Sequence, residues 1–240
     1  MNHPHIIIAD NFQKGWADAV IYLKSCGWDA WNLIVQIENS IKIKQTVDDK
    51  VTDFAKELRI KTPRQVVYTI FPYQQYKKGN RDSLYANYNT FHRRTKTAWG
   101  TYFYRMIRYE RDGRTHNQLE NIIKAIKSRR NTTRAGYTII IQYPGGESIR
   151  PLGGPCLNYL AVQVEPGDKR KIGLLAVYRN HEFIERAYGN YRGLCLLINY
   201  IAHETNSDPG TLTCVSSHAY VKSNKVKFKC FIDSIYNEIP

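Results

Sequence analysis

"YRGLCLLINYIAHE", residues 191–204, is apolar on nearly every side, which is typical of a helix buried among other elements. β-rich runs precede and follow it: "LNYLAVQV" (157–164), "IGLLAVY" (172–178) and "TLTCVSSHAYV" (211–221). The first two are joined by the turn sequence "EPGDKRK". Strands on both sides of a central buried helix predict a mixed α+β fold.

The rest of the chain adds strands and amphipathic helices. Further strands are predicted in "HIIIAD" (5–10), "WNLIVQIEN" (31–39) and "YTIIIQY" (137–143). Helical spacing of apolar residues is found in "GWADAVIYLKSCG" (15–27), "TVDDKVTDFAKELRIKTP" (46–63) and "NQLENIIKAIKSRR" (117–130). Thr46 or Asp48 is predicted to begin the second helix. "QVVYTIF" (65–71) fits a strand or a helical continuation, and the polar, basic stretch 74–97 is predicted to be a loop. The chain has no internal repeat or Gly/Ser linker, which favours a single domain over residues 1–240.

Composition limits the classes of function. The chain has 240 residues, a net charge of +14 and no apolar run of the roughly 18 residues that a membrane helix needs. No secretory signal is recognisable at the start of the sequence. The five cysteines are widely spaced and form no C-x-x-C pair, so neither a disulfide framework nor a metal site is expected, and a cytoplasmic location is. The positive charge indicates an anionic partner: a nucleic acid, a nucleotide or a phosphorylated metabolite.

Four groups of polar residues follow one another in the second half. Cys156 comes directly after a Gly-Gly-Pro turn, and Arg179 ends a strand. Asn190 precedes the buried helix, and His218 and Tyr220 lie two apart on a strand, so they share a face. Taken singly, each has an ordinary structural interpretation: a core cysteine, an arginine paired with a glutamate, a helix N-cap and a half-buried histidine. Together they could line one pocket for an anionic heterocycle.

This order resembles thymidylate synthase and its relatives, the pyrimidine nucleotide hydroxymethylases. That family shows Pro-Cys-His before a strand, Gln-Arg-Ser-x-Asp, Pro-Phe-Asn leading into a buried helix, and Gly-Asp-x-His-x-Tyr. The matching stretches here read "PCLNYLAVQV", "YRNHE", "YGNYRGLCLLINYIA" and "SSHAYV". The likeness covers residues 134–221, whereas residues 1–95 are divergent. It implies a thymidylate synthase-like fold, a mixed sheet packed with the central helix, and a homodimer formed through a sheet face.

The resemblance also implies roles for the nucleophile and the phosphate site. Cys156 would add to C6 of a pyrimidine, which turns C5 into a carbon nucleophile that attacks a one-carbon unit. A free thiol, with a pKa of about 8.5, is mostly protonated at neutral pH, and Arg179 would raise the thiolate fraction. Arg179 would also hold the nucleotide phosphate, beside Asn180 at the position of the family's serine. Glu182 takes the place of the folate-side aspartate and is the second predicted catalytic residue.

The remaining implied roles concern the base, the sugar and the partner subunit. Asn190 would bind the pyrimidine edge, and asparagine at this position goes with uracil in the family. His218 and Tyr220 would hold the ribose hydroxyl. Arg134 would reach across the dimer interface to the neighbour's phosphate. The family's cofactor is 5,10-methylenetetrahydrofolate, and no metal is implied.

Departures from the family pattern fall mainly on the folate side. Leu157 stands where the family has a histidine, and Ser216 and Ser217 replace Gly-Asp. The N-terminal arginine loop, the Glu-Leu-Leu-Trp helix and the hydrophobic tail have no counterpart. The residues that bind the nucleotide in the family are therefore matched better in this sequence than those that bind the folate cofactor.

Three functions follow for comparison. The first is C5 methyl or hydroxymethyl transfer on a uracil-type nucleotide through a cysteine adduct. The second is an inactive nucleotide- or nucleic-acid-binding protein of the same fold, and the third is a Cys-His hydrolase that uses Cys156 and His218. Cys195 and Cys214 are interpreted as core residues. His3, His5, His181 and His203 are interpreted as surface residues without a role.

Overall fold

The structure is a computed structural model that describes residues 3–92, 100–111, 113–128, 136–143 and 154–240. Within these residues it has nine strands. They are β1 (His5–Ala9), β2 (Asp29–Ile37), β3 (Tyr109–Arg111), β4 (Arg114–His116), β5 (Tyr137–Ile140), β6 (Leu157–Glu165), β7 (Lys171–Tyr178), β8 (His181–Glu182) and β9 (Asp208–Tyr220). β3 and β4 form a separate two-stranded sheet, and the other seven strands form one large sheet.

The large sheet is mixed, with the order β1-β2-β9-β7-β6-β5. β1 pairs with β2 in parallel, and β7 pairs with β9 in parallel. The pairs β2–β9, β6–β7 and β5–β6 are antiparallel, and the short β8 lies parallel to the end of β9. The predicted α+β class with a mixed sheet is confirmed.

Helices connect these strands and pack on the sheet. They are α1 (Phe12–Ser25), α2 (Gln45–Glu57), α3 (Pro63–Ile70), α4 (Tyr73–Lys77), α5 (Arg81–His92), α6 (Tyr102–Ile107), α7 (Gln118–Ser128), α8 (Tyr188–Glu204) and α9 (Lys225–Ile235). A π-helical turn, Phe183–Ala187, leads directly into α8. In the described part of the chain, no helix is both long and apolar enough to cross a bilayer.

The predicted buried central helix is α8. Twelve of its seventeen residues are buried, and it packs on β7 and β9. Its closest helical neighbour is α3, which approaches where α8 carries glycine. A Cβ at Gly189 would lie 2.5 Å from the Val66 Cβ, and one at Gly193 would lie 3.0 Å from the Ile70 Cβ. Glycine at these two positions therefore sets the distance between the helices.

The other face of the sheet carries a row of apolar side chains. Strand register places them side by side, in the order Ile6, Ile34, Val215, Val177, Tyr159 and Ile140. They alternate along their strands with residues buried under the helices. Ile6 remains 59% exposed and its neighbour Ile8 63% exposed. This set of residues is called the apolar row below.

Three local predictions are wrong or are decided by the structure. Residues 65–70 are helical rather than extended, because Val66, Val67 and Ile70 pack as one face of α3, and Phe71 is its extended C-cap. The segment 74–97, predicted to be a loop, instead contains most of α4 and, up to residue 92, all of α5. α5 buries Leu84 and Tyr88. α2 begins at Gln45, so Thr46 and Asp48 lie inside the helix instead of capping it.

Candidate functional site

The predicted site residues converge because of the strand order. The start of β6 lies beside the end of β7, where Leu157 pairs with Tyr178. The end of β9 lies beside both β7 and β8, and Glu182 pairs with Tyr220. A cavity of about 400 Å³ opens at this edge of the sheet. Five of the predicted site residues line it, namely Cys156, Asn180, Glu182, Asn190 and Tyr220.

Cys156 is partly exposed and is held by its backbone on both sides. Its N–H donates to the Tyr102 hydroxyl at 3.4 Å, and its carbonyl accepts the Arg179 N–H at 2.9 Å. Burial raises the pKa of the Cys156 thiol, while the charges of Arg179 and Arg186 act in the opposite direction. Cys156 thus lines the cavity, and the charges of Arg179 and Arg186 favour the thiolate form of its side chain.

Arg179 supports the turn that precedes Cys156. Its Nε donates to the Pro155 carbonyl at 3.1 Å, and Gly154 beside it has a φ of 82°, which favours glycine. Arg179 is not among the residues that line the cavity in the described part of the chain. The structure thus places Arg179 against the backbone of the loop rather than at the cavity wall.

His218 lies behind the cavity wall instead of in it. Its Nδ1 lies 2.8 Å from the Asn180 Oδ1, and its Nε2 lies 2.9 Å from the Asp29 Oδ2. The imidazole stacks on the Tyr220 ring at 5.1 Å, so the two share a face as predicted. Because both ring nitrogens face an oxygen, His218 acts on the cavity only through Asn180 and Tyr220. This position does not suit the general base of a Cys-His hydrolase.

Glu182 is largely engaged in holding backbone. Glu182 is the N-cap of the π-helical turn, and its carboxylate accepts the N–H of Glu185 within that turn and the N–H of Lys222 at 3.4 Å. Burial raises the pKa of this carboxyl, and these backbone N–H groups partly offset the rise. Glu182 therefore fixes the turn that leads into α8, besides lining the cavity.

Asn190 is oriented by a histidine that the sequence interpretation placed at the surface. His181 is only 1% exposed, stacks on Tyr178 at 4.1 Å, and lies 3.0 Å from the Asn190 Nδ2 and 2.9 Å from the Ser216 Oγ. Burial lowers the pKa of His181 to about 3, so the ring is neutral. Since Asn190 Nδ2 can only donate, His181 Nε2 accepts and Nδ1–H donates to Ser216.

This arrangement leaves one edge of the Asn190 amide for the cavity. Nδ2 has a second N–H beside Oδ1, and within the described residues neither is hydrogen bonded. Asn190 lies in the first turn of α8, preceded by the π-helical turn, so the N-cap interpretation is wrong. Its position in the cavity wall depends on the partnership with His181, which lies nine residues earlier in the chain.

Three cations that the sequence interpretation did not single out also line the cavity. Lys61 follows α2, Arg186 belongs to the π-helical turn, and Lys222 follows β9. π-Helical turns occur often at functional sites. The local sequence "FIERA" does not indicate that residues 183–187 form such a turn. No motif links the three positions in sequence, and only the packing of α3 on α8 brings Lys61 to the site.

Other predicted residues lie elsewhere. Arg134 falls outside the described residues. Cys195 and Cys214 are buried, which confirms the core interpretation, and burial raises the pKa of both thiols. His203 is exposed, with its Nδ1 2.7 Å from the Tyr76 hydroxyl. Among the residues that the structure describes, no group of three His, Cys, Asp or Glu side chains could hold a metal.

The residues present do not fit folate. The Glu182 carboxylate, which would take the place of the folate-side aspartate, is occupied by backbone N–H groups. Charged side chains of Lys61, Glu185 and Arg186 line that part of the cavity, whereas a pteridine and its aromatic spacer need apolar contact.

Comparison with known proteins adds no assignment: the chain matches no protein-family model and no curated protein.

Proposed function

We propose that the protein modifies C5 of a uracil-type nucleotide through a covalent adduct between Cys156 and C6. The observation that supports this is the meeting of the Cys156 thiol, the Asn190 amide edge and the Tyr220 hydroxyl in one cavity of about 400 Å³. A volume of this size is in the range of small-molecule sites.

The thiol would react as the thiolate. Its S–C6 bond forms as the C5–C6 double bond opens, and the electron pair moves to C5 and O4 as an enolate. C5 then takes a proton from solvent or attacks an electrophilic one-carbon donor. The donor is either an activated methyl, whose leaving group departs with the bonding electron pair, or an aldehyde-level carbon, whose C=O electron pair moves to oxygen and takes a proton. Loss of the original C5 proton and of the thiolate restores the double bond. Arg179 and Arg186 support the thiolate, since both lower the thiol pKa against the effect of burial. The one-carbon donor, which supplies a methyl or a hydroxymethyl group, is a co-substrate other than folate.

Asn190 would select the base. The free N–H and Oδ1 of its amide match a cis-lactam edge, which offers one acceptor and one donor, as N3–H and O4 of uracil do. In the same binding pose, cytosine places its N3 acceptor opposite Oδ1 and its N4–H₂ donor opposite the free N–H, so neither hydrogen bond forms while the amide keeps its orientation. The neutral, buried His181 keeps the amide in that orientation.

The active unit would be a homodimer formed through the apolar row. A flat row of apolar side chains on an open sheet face is typical of a protein–protein contact. Val215→Lys, in the centre of the row, is expected to give monomers in sedimentation equilibrium, while Ile21→Lys, on the exposed face of α1, keeps the dimer. A monomeric wild type would contradict the dimer. We place the activity in the cytoplasm, where thiols stay reduced.

An inactive binding protein is the second candidate. Burial raises the Cys156 pKa, which favours a thiol that stays protonated while the cavity still binds a nucleotide. This candidate predicts tight dUMP binding without turnover. Binding to long single strands with a steep salt dependence would instead indicate a nucleic-acid partner.

Exchange of the C5 hydrogen tests the covalent step without a one-carbon donor. Wild type is expected to exchange tritium from [5-³H]dUMP and to dehalogenate 5-bromo-dUMP, and Cys156→Ala is expected to do neither. Cys230→Ala, which removes an exposed cysteine on α9, should retain the wild-type rate. Equal background rates for wild type and Cys156→Ala, with dUMP bound, would reject the enzyme and leave the binding protein.

A further inference from the structure

Lys61, Arg186 and Lys222 enter the cavity from three different elements. Lys61 belongs to the connection between α2 and α3, Arg186 to the π-helical turn and Lys222 to the segment after β9. Arg186 is half-buried, whereas Lys61 and Lys222 are exposed at the rim. The three side chains thus surround one opening from separate parts of the chain.

None of the three makes an ion pair within the described residues. Elsewhere on the surface, lysines are paired with carboxylates, as Lys14 is with Asp18 and Lys227 with Glu57. The cavity itself holds two carboxylates, and Glu182 is engaged by backbone N–H groups. The remaining carboxylate, Glu185, lies beyond ion-pair distance of every described cation.

Lys61 and Arg186 also repel each other. The pKa of Lys61 is lowered, first by partial desolvation and then by the charge of Arg186, with Glu185 acting weakly the other way. A lysine whose pKa is lowered by a neighbouring cation is stabilised in its charged form when an anion binds beside both cations. The same Arg186 charge reaches the Cys156 thiol, so the anion site and the nucleophile share one wall.

We propose that Lys61 and Arg186 bind a phosphoryl group of the substrate, with Lys222 at the rim. This rests on the proposed function and deepens it, because it names the residues that would bind the phosphoryl group of the nucleotide. The planar guanidinium of Arg186 suits two phosphoryl oxygens, and Lys61 supplies a point charge. It also moves the phosphate contact away from Arg179, whose Nε is bound to the Pro155 carbonyl.

Binding measurements by calorimetry test the site with dUMP, deoxyuridine and inorganic pyrophosphate as probes. Loss of one charge-assisted hydrogen bond corresponds to about tenfold in affinity. Arg186→Gln and Lys61→Gln are each expected to weaken dUMP and pyrophosphate by about tenfold or more and to leave deoxyuridine within about twofold. Lys225→Gln, an exposed lysine on α9 outside the cavity, is the matched control and should bind all three like wild type.

The outcomes separate this site from the proposed chemistry. Unchanged dUMP affinity in Arg186→Gln and Lys61→Gln, with C5 exchange intact in wild type, would overturn the phosphate site alone. Weaker pyrophosphate binding in both variants, with no C5 exchange in wild type, would support the phosphate site and overturn the reaction. Wild type that binds deoxyuridine as tightly as dUMP would overturn the site directly. Arg186 donates no hydrogen bond within the described residues, so its substitution should not disturb folding.

Discussion

His181 should make the folded state sensitive to mild acid. The imidazole is 1% exposed, and its ring neighbours are uncharged: Tyr178 stacked on it, with Phe183 and Tyr191 beside it. Its two nitrogens are occupied by Asn190 and Ser216 in a way that requires the neutral ring. Protonation would bury an unpaired charge and break one of these hydrogen bonds, so it favours the unfolded chain.

The size of the effect follows from the two pKa values. Burial lowers the pKa of His181 from 6.5 to about 3. Because the folded pKa is the lower one, the stability is fully present above pH 6.5 and is lost as pH falls from 6.5 towards 3. The whole shift corresponds to about 5 kcal/mol, and the part between pH 7 and pH 5 to about 2 kcal/mol. For 240 residues this lowers Tm by about 4 °C.

Urea denaturation of wild type and His181→Gln at pH 7 and pH 5 measures this. The variant is less stable at both pH values because the stacked ring is lost. Between pH 7 and pH 5, however, the free energy of unfolding of the variant should fall by about 2 kcal/mol less than that of wild type. His116→Gln, on the exposed strand β4, is the control and should keep the wild-type pH dependence. Equal losses in wild type and His181→Gln would refute the buried, neutral histidine and the orientation it gives Asn190.

Two further outcomes test the packing of α3 on α8 and the ionisation of the Cys156 thiol. Gly189→Ala would place a Cβ 2.5 Å from the rigid Val66 side chain, so urea denaturation is expected to show a free energy of unfolding lower by about 1–3 kcal/mol. Gly136→Ala, whose added Cβ has its nearest contact at 3.5 Å, is the control and should be near neutral. Equal stability of Gly189→Ala and wild type would show that the two helices can separate freely. Because burial raises the pKa of Cys156, its alkylation by iodoacetamide, followed by peptide mass spectrometry, should rise with pH later than for an exposed cysteine. Arg186→Gln should shift that rise to still higher pH, and an unchanged pH profile would contradict the electrostatic contact.

The sheet and the central helix could be predicted because their signal is local and strong. β6, β7 and β9 are β-branched, apolar runs between turn residues, and α8 is apolar over most of its surface. α4 and α5 were missed because their buried face is small and partly tyrosine. Tyr85 and Tyr200 share a hydrogen bond at 2.8 Å, and Tyr76 donates a hydrogen bond to Glu204. Polar side chains therefore make these contacts of α4 and α5 with α8. Hydrophobic periodicity does not register contacts of this kind.

Some residues of the candidate site could likewise be predicted from the sequence, and others could not. Cys156, Asn190 and Tyr220 each lie at or directly beside the end of a recognisable element, so their convergence could be expected from the ends of those elements. His181 and Lys61 could not be found, because nothing local marks them. His181 is hydrogen bonded to Asn190 in the first turn of α8, and Lys61 lies in the connection before α3, whose Val66 packs closely on Gly189 of α8.

The strand order has a consequence for how the molecule is assembled. β2 lies between β1 and β9, which come from opposite ends of the described chain, and β2 pairs with β9 over Asp29–Tyr220 to Ile37–Leu212. A ribosome must therefore deliver all residues from β2 to β9 before the middle of the sheet can form, and such long-range pairing slows folding. Until then the cavity lacks the wall that carries Tyr220 and Lys222. Nascent chains should consequently be neither protease-resistant nor able to retain nucleotide until the last strand has been released.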